Sequence, residues 1–289
     1  MSAALEGIIV GAFGRHYEIE LPDLVRITGF PRGKKSSYAC GDRVALQRSS
    51  SDQAQIVRHL ARSSLLYRSD AFRQKLIVAN ATQLVLVVAT RPSFSDELLT
   101  RALVAAESEG LRSFIVLNKT DLAMHLPAAR LRLAPLAKLG YTVLELSARR
   151  DATPLTPYLA GELSVLVGQS GMGKSTLINA LVPGAAAATR EVSEALDSGK
   201  HTTTQARLYR LGSGALIDSP GLQEFGLAHL TRGAIEQVFV EFRPHLAGCR
   251  FRDCSHRSEP DCAITAAVAA GEIDERRYQL FLRLCSAVF

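Results

Sequence analysis

The sequence has no long run of apolar residues. Its longest strongly apolar stretch covers residues 84–89 (LVLVVA), whereas a helix that spans a bilayer needs about 20 such residues. The N-terminal residues MSAALEG also lack the basic-then-apolar pattern of a secretory signal. We therefore expect a cytoplasmic protein that has no membrane partner.

The sequence is also poor in cysteine, since five occur among 289 residues and three of these crowd between positions 249 and 262. Disulfide frameworks are typical of short secreted chains, so crowded cysteines in this chain indicate metal ligands. Three thiolates and one imidazole would form a closed tetrahedral Zn²⁺ site, which is structural because no position remains for water. Cys40 and Cys285 lie outside the spacing and are expected to be buried or incidental. The predicted zinc ligands are Cys249, Cys254, His256 and Cys262.

The net charge of +6 is concentrated near the N-terminus. Residues 1–75 contain 12 basic and 7 acidic side chains, whereas residues 76–240 contain 15 and 14, and residues 241–289 contain 7 and 7. A basic N-terminal region on a neutral remainder favours contact with a polyanion, most simply nucleic acid. A solvated basic face is the alternative.

Residues 5–58 show short apolar stretches separated by turn residues, with a basic loop at residues 31–36. This pattern predicts a small closed β-barrel of the OB kind, a fold whose surface binds oligonucleotides. SH3-like barrels give a similar pattern, so both folds stay open. The predicted strands are residues 7–12, 17–21, 24–28, 42–47 and 54–58.

Beyond residues 59–80, which we predict to be an Arg- and Ser-rich linker, strand and helix patterns alternate. Such alternation is typical of a parallel sheet whose strands are joined by crossover helices. The predicted strands are residues 84–89, 113–117, 142–146, 163–167, 206–211 and 215–217, and the predicted helices are residues 95–110 and 127–139.

The strongest motif is Gly-x-x-x-x-Gly-Lys-Ser at residues 168–175, between an apolar run and a segment with helical spacing. This is a P-loop, in which glycines let backbone N–H groups point at phosphate oxygens and the following helix presents its positive end to the same anion. We expect Lys174 to reach the β- and γ-phosphates and to act in catalysis, and the Ser175 hydroxyl to bind Mg²⁺. The predicted phosphate-binding residues are Gly168, Gln169, Ser170, Gly171, Met172, Gly173, Lys174, Ser175 and Thr176.

A second motif, Asn-Lys-Thr-Asp at residues 118–121, follows a predicted strand and therefore lies where ligands of α/β sheets bind. Guanine has two hydrogen-bond donors on one edge, N1–H and the 2-amino group, and the Asp121 carboxylate can accept from both. Adenine would instead present a lone pair to it, and such a mismatch rejects analogues strongly. Asn118 can bond the other side of the ring, and the Lys119 stem can lie along it. The predicted base-binding residues are Asn118, Lys119, Thr120 and Asp121.

A third motif, Asp-Ser-Pro-Gly at residues 218–221, follows the predicted strand 215–217. An aspartate at a strand end can support the Mg²⁺ shell, and a glycine N–H can sense a γ-phosphate, so we add Asp218 and Gly221 to the predicted site. The base-reading motif precedes the P-loop here, whereas it follows the P-loop in Ras-like GTPases. Parallel strands with local crossovers tolerate such a circular permutation when the chain termini lie close together.

The motif order, the preceding barrel, the segment GKHTTT at residues 199–204 and the cysteine cluster together resemble the bacterial ribosome-small-subunit-dependent GTPase A family. The resemblance covers nearly the whole chain. It implies a circularly permuted GTPase that binds the small ribosomal subunit and its rRNA, is stimulated by it, hydrolyses GTP to GDP and phosphate, and acts late in subunit maturation. It also implies that the segment Ser147 and Ala148 contacts the guanine carbonyl oxygen, and that one threonine of GKHTTT binds Mg²⁺, for which we favour Thr203 over Thr202.

Leu222 stands where Ras-like enzymes carry the glutamine that orients the attacking water. An apolar side chain cannot orient water. Either intrinsic hydrolysis is slow or another group takes this role, and our candidate is His201, because a neutral imidazole can accept from water. Two alternatives stay open: an RNA-binding protein for which the nucleotide is a structural ligand, and an ATP-dependent P-loop enzyme.

Taken together, these patterns predict an α/β P-loop GTPase core with a circular permutation, flanked by an N-terminal OB-like β-barrel and a C-terminal zinc-binding α-helical module. The expected boundaries are residues 1–60, 61–228 and 229–289. The expected cofactors are one structural zinc ion and Mg²⁺ bound with GTP, and we expect a monomer.

Overall fold

The fold is described from a computed structural model, which covers residues 5–13, 16–33, 38–69, 74–185, 206–219, 227 and 229–288. Within these residues, no helix has the length and apolar character needed to cross a bilayer. The strands and helices below are those of the described residues.

The N-terminal strands form a closed five-stranded barrel, which confirms the predicted architecture. Their order is β1-β2-β3-β5-β4, and β4 also pairs with β1. Alternate side chains such as Ile9, Ile19 and Ile56 point inward and are fully buried, which explains the period-two pattern of the sequence. The strands are β1 (Leu5–Ala12), β2 (Tyr17–Glu20), β3 (Arg26–Pro31), β4 (Arg43–Arg48) and β5 (Gln53–His59).

The linker expected at residues 59–80 is instead largely a β-hairpin, formed by β6 (Leu65–Ser69) and β7 (Gln74–Ala79). Leu66 and Val78 pair in register across it, and both are buried. Burial of these apolar side chains stabilises the strands, although neighbouring Arg and Ser residues hide the signal in the sequence. The Arg- and Ser-rich segment that we predicted to be a linker therefore contains two paired strands.

The predicted parallel sheet is present, and its strand order is β10-β9-β8-β11-β13. β12 runs antiparallel to β13 and continues the sheet into β1 of the barrel, where Gly11 pairs with Arg207. Arg210 on β12 also forms an ion pair with the buried Glu20 on β2, at 2.6 Å. The strands are β8 (Gln83–Ala89), β9 (Arg112–Asn118), β10 (Val143–Glu145), β11 (Leu163–Val167), β12 (Arg207–Leu211) and β13 (Gly214–Asp218).

Helices cover this sheet, and its central strands are therefore buried on both faces. Every residue of β8 is buried. The first helix begins after Ser95, whose hydroxyl accepts a hydrogen bond from the Leu98 N–H as an N-cap. The helices are α1 (Asp96–Ser108), α2 (Leu126–Lys138), α3 (Thr156–Leu159) and α4 (Lys174–Leu181).

The C-terminal region is helical, as predicted, and contains α5 (Arg232–Val238), α6 (Ala263–Ala269) and α7 (Glu275–Val288). Its core is an aromatic cluster of Phe239, Phe242 and Phe281, all fully buried. Arg277 of α7 anchors this region to the sheet domain. It pairs with Glu241 at 2.7 Å, lies 4.6 Å from the centre of the Phe239 ring, and donates to the Thr100 hydroxyl of α1.

Candidate functional site

The P-loop joins β11 to α4 at the centre of the sheet. A Cβ atom at Gly168 would lie 2.2 Å from the Val87 carbonyl oxygen, so only glycine allows the loop to pass β8 this closely. Gly173 has a φ of +96°, a left-handed conformation that glycine adopts readily, and it precedes the first residue of α4. The positions of the glycines in the motif therefore follow from the backbone conformation of the loop.

The base-reading motif lies directly against the P-loop, although 54 residues separate Asn118 from Met172 in the sequence. The Asn118 amide donates to the Met172 carbonyl oxygen at 2.9 Å, and the Lys119 ammonium donates to the Gly171 carbonyl oxygen at 2.6 Å. A Cβ at Gly173 would lie 2.3 Å from Asn118 Nδ2. The parallel strands β9 and β11 deliver both motifs to one end of the sheet, as the strand-end argument predicted.

Asn118 also ties in the segment that follows β10. Its side-chain oxygen accepts from the backbone N–H of Ala148 at 2.9 Å and from that of Lys119 at 2.8 Å. Asn118 is buried, with 2% exposed. Its side-chain amide links the P-loop, the base-reading motif and the segment after β10.

These loops enclose an open cavity of about 460 Å³. Most of the predicted nucleotide residues line it, and so do two that the sequence analysis missed, Leu122 and Arg149, each immediately after a predicted residue. That adjacency is the only signal for them in the sequence. The full lining is Asn118, Lys119, Asp121, Leu122, Ser147, Ala148, Arg149, Ser170, Gly171, Gly173, Lys174, Ser175 and Thr176.

Five predicted residues in the described part of the chain do not line this cavity, namely Asp218 and four that support its loops. Gly168 packs against Val87, and Met172 is buried with 1% of its surface exposed. The Gln169 side chain accepts from the backbone N–H of Ser95 at 2.6 Å. Thr120 is half-buried, and its N–H donates to the Leu146 carbonyl oxygen. All four support the loops around the cavity.

Lys174 lines the P-loop side of the cavity, and Asp218 interacts with it electrostatically. Burial lowers the pKa of Lys174 and raises that of Asp218, and the attraction between the two opposes both shifts. The Lys174 ammonium donates to the carbonyl oxygens of Gly168 and Gln169, which hold it at the loop. A buried ammonium of this kind gains from an incoming anion, because the anion restores the stabilisation that burial removed.

Asp121 lies at the opposite, base-reading side. Interaction with the Ser147 side chain, assisted by the nearby Arg150 and Arg149, lowers the pKa of its carboxyl group. The carboxylate is therefore ionised at neutral pH and can only accept hydrogen bonds. His201, Thr203, Gly221 and Leu222 lie outside the described residues.

The four predicted zinc ligands converge, with their donor atoms all within 4.8 Å of one another. Cys249 Sγ and Cys262 Sγ are 4.0 Å apart, close to the separation of about 3.8 Å that two thiolates have in a tetrahedral site with Zn–S bonds of about 2.3 Å. His256 Nδ1 lies 3.5 Å from Cys249 Sγ and 3.4 Å from Cys262 Sγ. This donor set fits Zn²⁺. Cys40 and Cys285 are both buried.

The surroundings of the cluster orient the imidazole. His256 Nε2, the nitrogen facing away from the thiols, lies 3.6 Å from a Glu236 carboxylate oxygen. Burial opposes protonation of His256, but the Glu236 carboxylate and the Cys262 thiol together outweigh it and raise the imidazole pKa. Tyr278 donates its hydroxyl to the His256 carbonyl oxygen at 2.5 Å. A carboxylate behind a ligating histidine is the usual support of such metal sites.

The sequence of this chain matches those of known proteins. Residues 59–228 match the model of the RsgA GTPase family. A protein of Burkholderia pseudomallei strain 1710b, described as small ribosomal subunit biogenesis GTPase RsgA, is 56% identical over 285 residues, covering 96% of this chain and 91% of that protein. A protein of Nitrosospira multiformis with the same description is 53% identical over 288 residues, covering 99% and 92%.

Two solved structures have the same fold. YjeQ from Thermotoga maritima has a TM-score of 0.76 and 29% identity, covering 99% of both chains. YloQ, described as a circularly permuted GTPase, has a TM-score of 0.73 and 25% identity, covering 99% of this chain and 96% of the other. The permuted motif order, the neighbouring folds and the sequence matches agree, and the chain belongs to the RsgA GTPase family.

Proposed function

We propose that this protein binds GTP in the 460 Å³ cavity, hydrolyses it to GDP and phosphate, and acts in the biogenesis of the small ribosomal subunit. The observation that carries the proposal is that Asp121 and Lys174 line one cavity, at sites suited to the base and to the phosphates. The relatives in Burkholderia pseudomallei and Nitrosospira multiformis are described as small-subunit biogenesis GTPases.

Within this cavity each motif has a separate role. The backbone N–H groups of residues 168–175 and the Lys174 ammonium hold the phosphates, and Asp121 accepts from the guanine N1–H and 2-amino group. Ser175, Asp218 and Thr203 would hold Mg²⁺, which neutralises the charge that develops on the phosphates during transfer. His201 orients the attacking water in place of the missing glutamine.

The proposed partner surfaces are on the flanking modules. Phe30 and Val57 are exposed by 42% and 41% on neighbouring barrel strands, and Arg48 and Arg58 are exposed on the adjacent strands β4 and β5. Exposed aromatic and basic side chains suit single-stranded or irregular RNA, so we assign rRNA contact to the barrel.

The three modules are residues 1–60, 61–228 and 229–289 in this proposal. Cys249, Cys254, His256 and Cys262 hold one structural Zn²⁺ in the last of them, and the protein acts in the cytoplasm as a monomer.

The test is GTP hydrolysis by the purified protein, measured against increasing concentrations of small ribosomal subunits at two salt concentrations. We expect turnover to rise with subunits and to rise less at the higher salt, because phosphate contacts weaken as salt increases. Lys174→Ala is the control and should abolish the stimulated turnover. Subunit binding without turnover would instead favour an RNA-binding protein with a structural nucleotide, the alternative suggested by Leu222. A preference for ATP over GTP would contradict the assignment of Asp121.

A further inference from the structure

Thr90 directly follows β8 and touches the base-reading motif from outside the cavity. Its side chain is buried, with 9% exposed, and it is absent from the cavity lining. Its backbone N–H donates to the Asn118 carbonyl oxygen at 3.2 Å, and its hydroxyl donates to the Lys119 carbonyl oxygen at 2.9 Å. Thr90 therefore contacts the base-reading motif rather than the cavity itself.

The Lys119 carbonyl oxygen accepts two hydrogen bonds, the first of them from Thr90. It also accepts from the backbone N–H of Leu122 at 3.0 Å, which closes a turn over residues 119–122 with Asp121 as its third residue. Lys119 has a φ of +62°, a left-handed conformation that is uncommon for residues other than glycine. Its ammonium is held by the carbonyl oxygens of Arg91 and Gly171. The orientation of this one peptide group therefore sets where the turn points.

We infer that Thr90 is a positioning residue for guanine recognition, because its hydroxyl fixes the Lys119 carbonyl and thereby aims Asp121 into the cavity. The inference rests on the proposed function. Without the hydroxyl, the turn keeps its Leu122 hydrogen bond but loses its tether to β8. Asp121 must align both carboxylate oxygens with two donors of guanine, so base recognition depends on this tether more than phosphate binding does.

The test compares Thr90→Val, which keeps the side-chain shape but removes the hydroxyl, with Thr90→Ser, which keeps the hydroxyl. Dissociation constants for GDP and for IDP are measured by calorimetry on the full chain, since IDP lacks the 2-amino group. Thr90→Val removes the hydrogen bond to the Lys119 carbonyl, which is one bond of ordinary strength. We therefore expect this variant to bind GDP about fivefold more weakly. Its affinity for IDP should change by about twofold or less, so that the GDP preference over IDP falls, whereas Thr90→Ser should stay within about twofold of the unaltered protein for both ligands.

Two outcomes overturn the inference while leaving the proposed function intact. One is an unchanged GDP-to-IDP preference in Thr90→Val, and the other is an equal loss in Thr90→Ser, which would assign the effect to packing. Thermal unfolding checks that both variants fold, and their melting temperatures should be similar to each other. Failure of the unaltered protein to bind GDP would instead defeat the proposed function, and this inference with it.

Discussion

The nucleotide cavity and the zinc cluster are assembled in opposite ways. The cavity draws its lining from loops as far apart in the sequence as Asn118 and Thr176, and the ends of buried parallel strands bring these loops together. The zinc donors come from the short segment between Cys249 and Cys262. The cavity therefore depends on the core of a large sheet, whereas the cluster depends on metal coordination. We expect substitutions at one site to leave the other site intact.

The largest expected effect separates the two sites. Cys254→Ser removes one zinc ligand, and because a structural zinc site can supply on the order of 10 kcal/mol of folding free energy, the C-terminal region should lose its compact fold. Limited proteolysis should then cut residues 229–289 quickly, while GDP affinity stays within about threefold because the sheet is unaffected. Cys285→Ser is the matched control, as Cys285 is buried in the same region outside the donor set. Parallel loss of GDP binding in Cys254→Ser would show that the two sites are not independent.

A somewhat smaller effect is expected at the buried ion pair between Arg277 and Glu241 within the C-terminal region. Arg277→Met leaves the buried Glu241 carboxylate without its partner, which should lower the free energy of unfolding by about 3 kcal/mol. The double variant Glu241→Gln with Arg277→Met should recover much of this loss, because it removes the uncompensated charge. Urea unfolding measures both. If the single and double variants were equally stable, the unpaired Glu241 charge would not be the cause of the loss.

Asp121→Asn tests the cavity without touching the zinc region. An amide donates where the carboxylate accepted, so affinity for GDP should fall about 100-fold or more. Affinity for XDP should rise, because xanthine carries a carbonyl in place of the 2-amino group and can accept from the new amide. Titration calorimetry with both nucleotides gives the comparison. Retained GDP affinity in this variant would remove Asp121 from base recognition.

The smallest expected effect concerns the support of the zinc site. Glu236→Gln weakens the carboxylate behind the His256 imidazole, so zinc affinity should fall about tenfold in a chelator competition assay. Glu275→Gln is the control, since the Glu275 carboxylate accepts a hydrogen bond from the exposed Gln279 side chain in its own helix. Equal zinc affinity in the two variants would show that Glu236 does not orient the ligand.

The same contrast explains what could be predicted from the sequence. The P-loop, the base-reading motif and the cysteine cluster each need particular residues at fixed spacing within a short stretch. They could therefore be found from the sequence alone. The strand-end rule then placed Asp121 and Lys174 at one end of the sheet. The structure brings them into one cavity, whereas their roles in binding GTP stay predictions.

Other features depend on contacts between distant residues that no local pattern records. The Gln169 side chain meets the Ser95 N–H across 74 positions, and Arg277 meets Thr100 across 177. The hairpin β6–β7 was missed for a related reason, because its buried face is only a few residues long and lies among polar ones. Arg149 lines the cavity through the course of its loop, which the sequence does not specify.

The short pairing of β12 with β1 has a consequence for any truncated version of this protein. A fragment starting at residue 59, where the family match begins, would lack β1 and the Glu20 partner of Arg210. Removal of β1 would take away the pairing of Gly11 with Arg207 and leave that edge of β12 open to a strand from another molecule. We therefore expect a core expressed without the barrel to self-associate more readily than the full chain does.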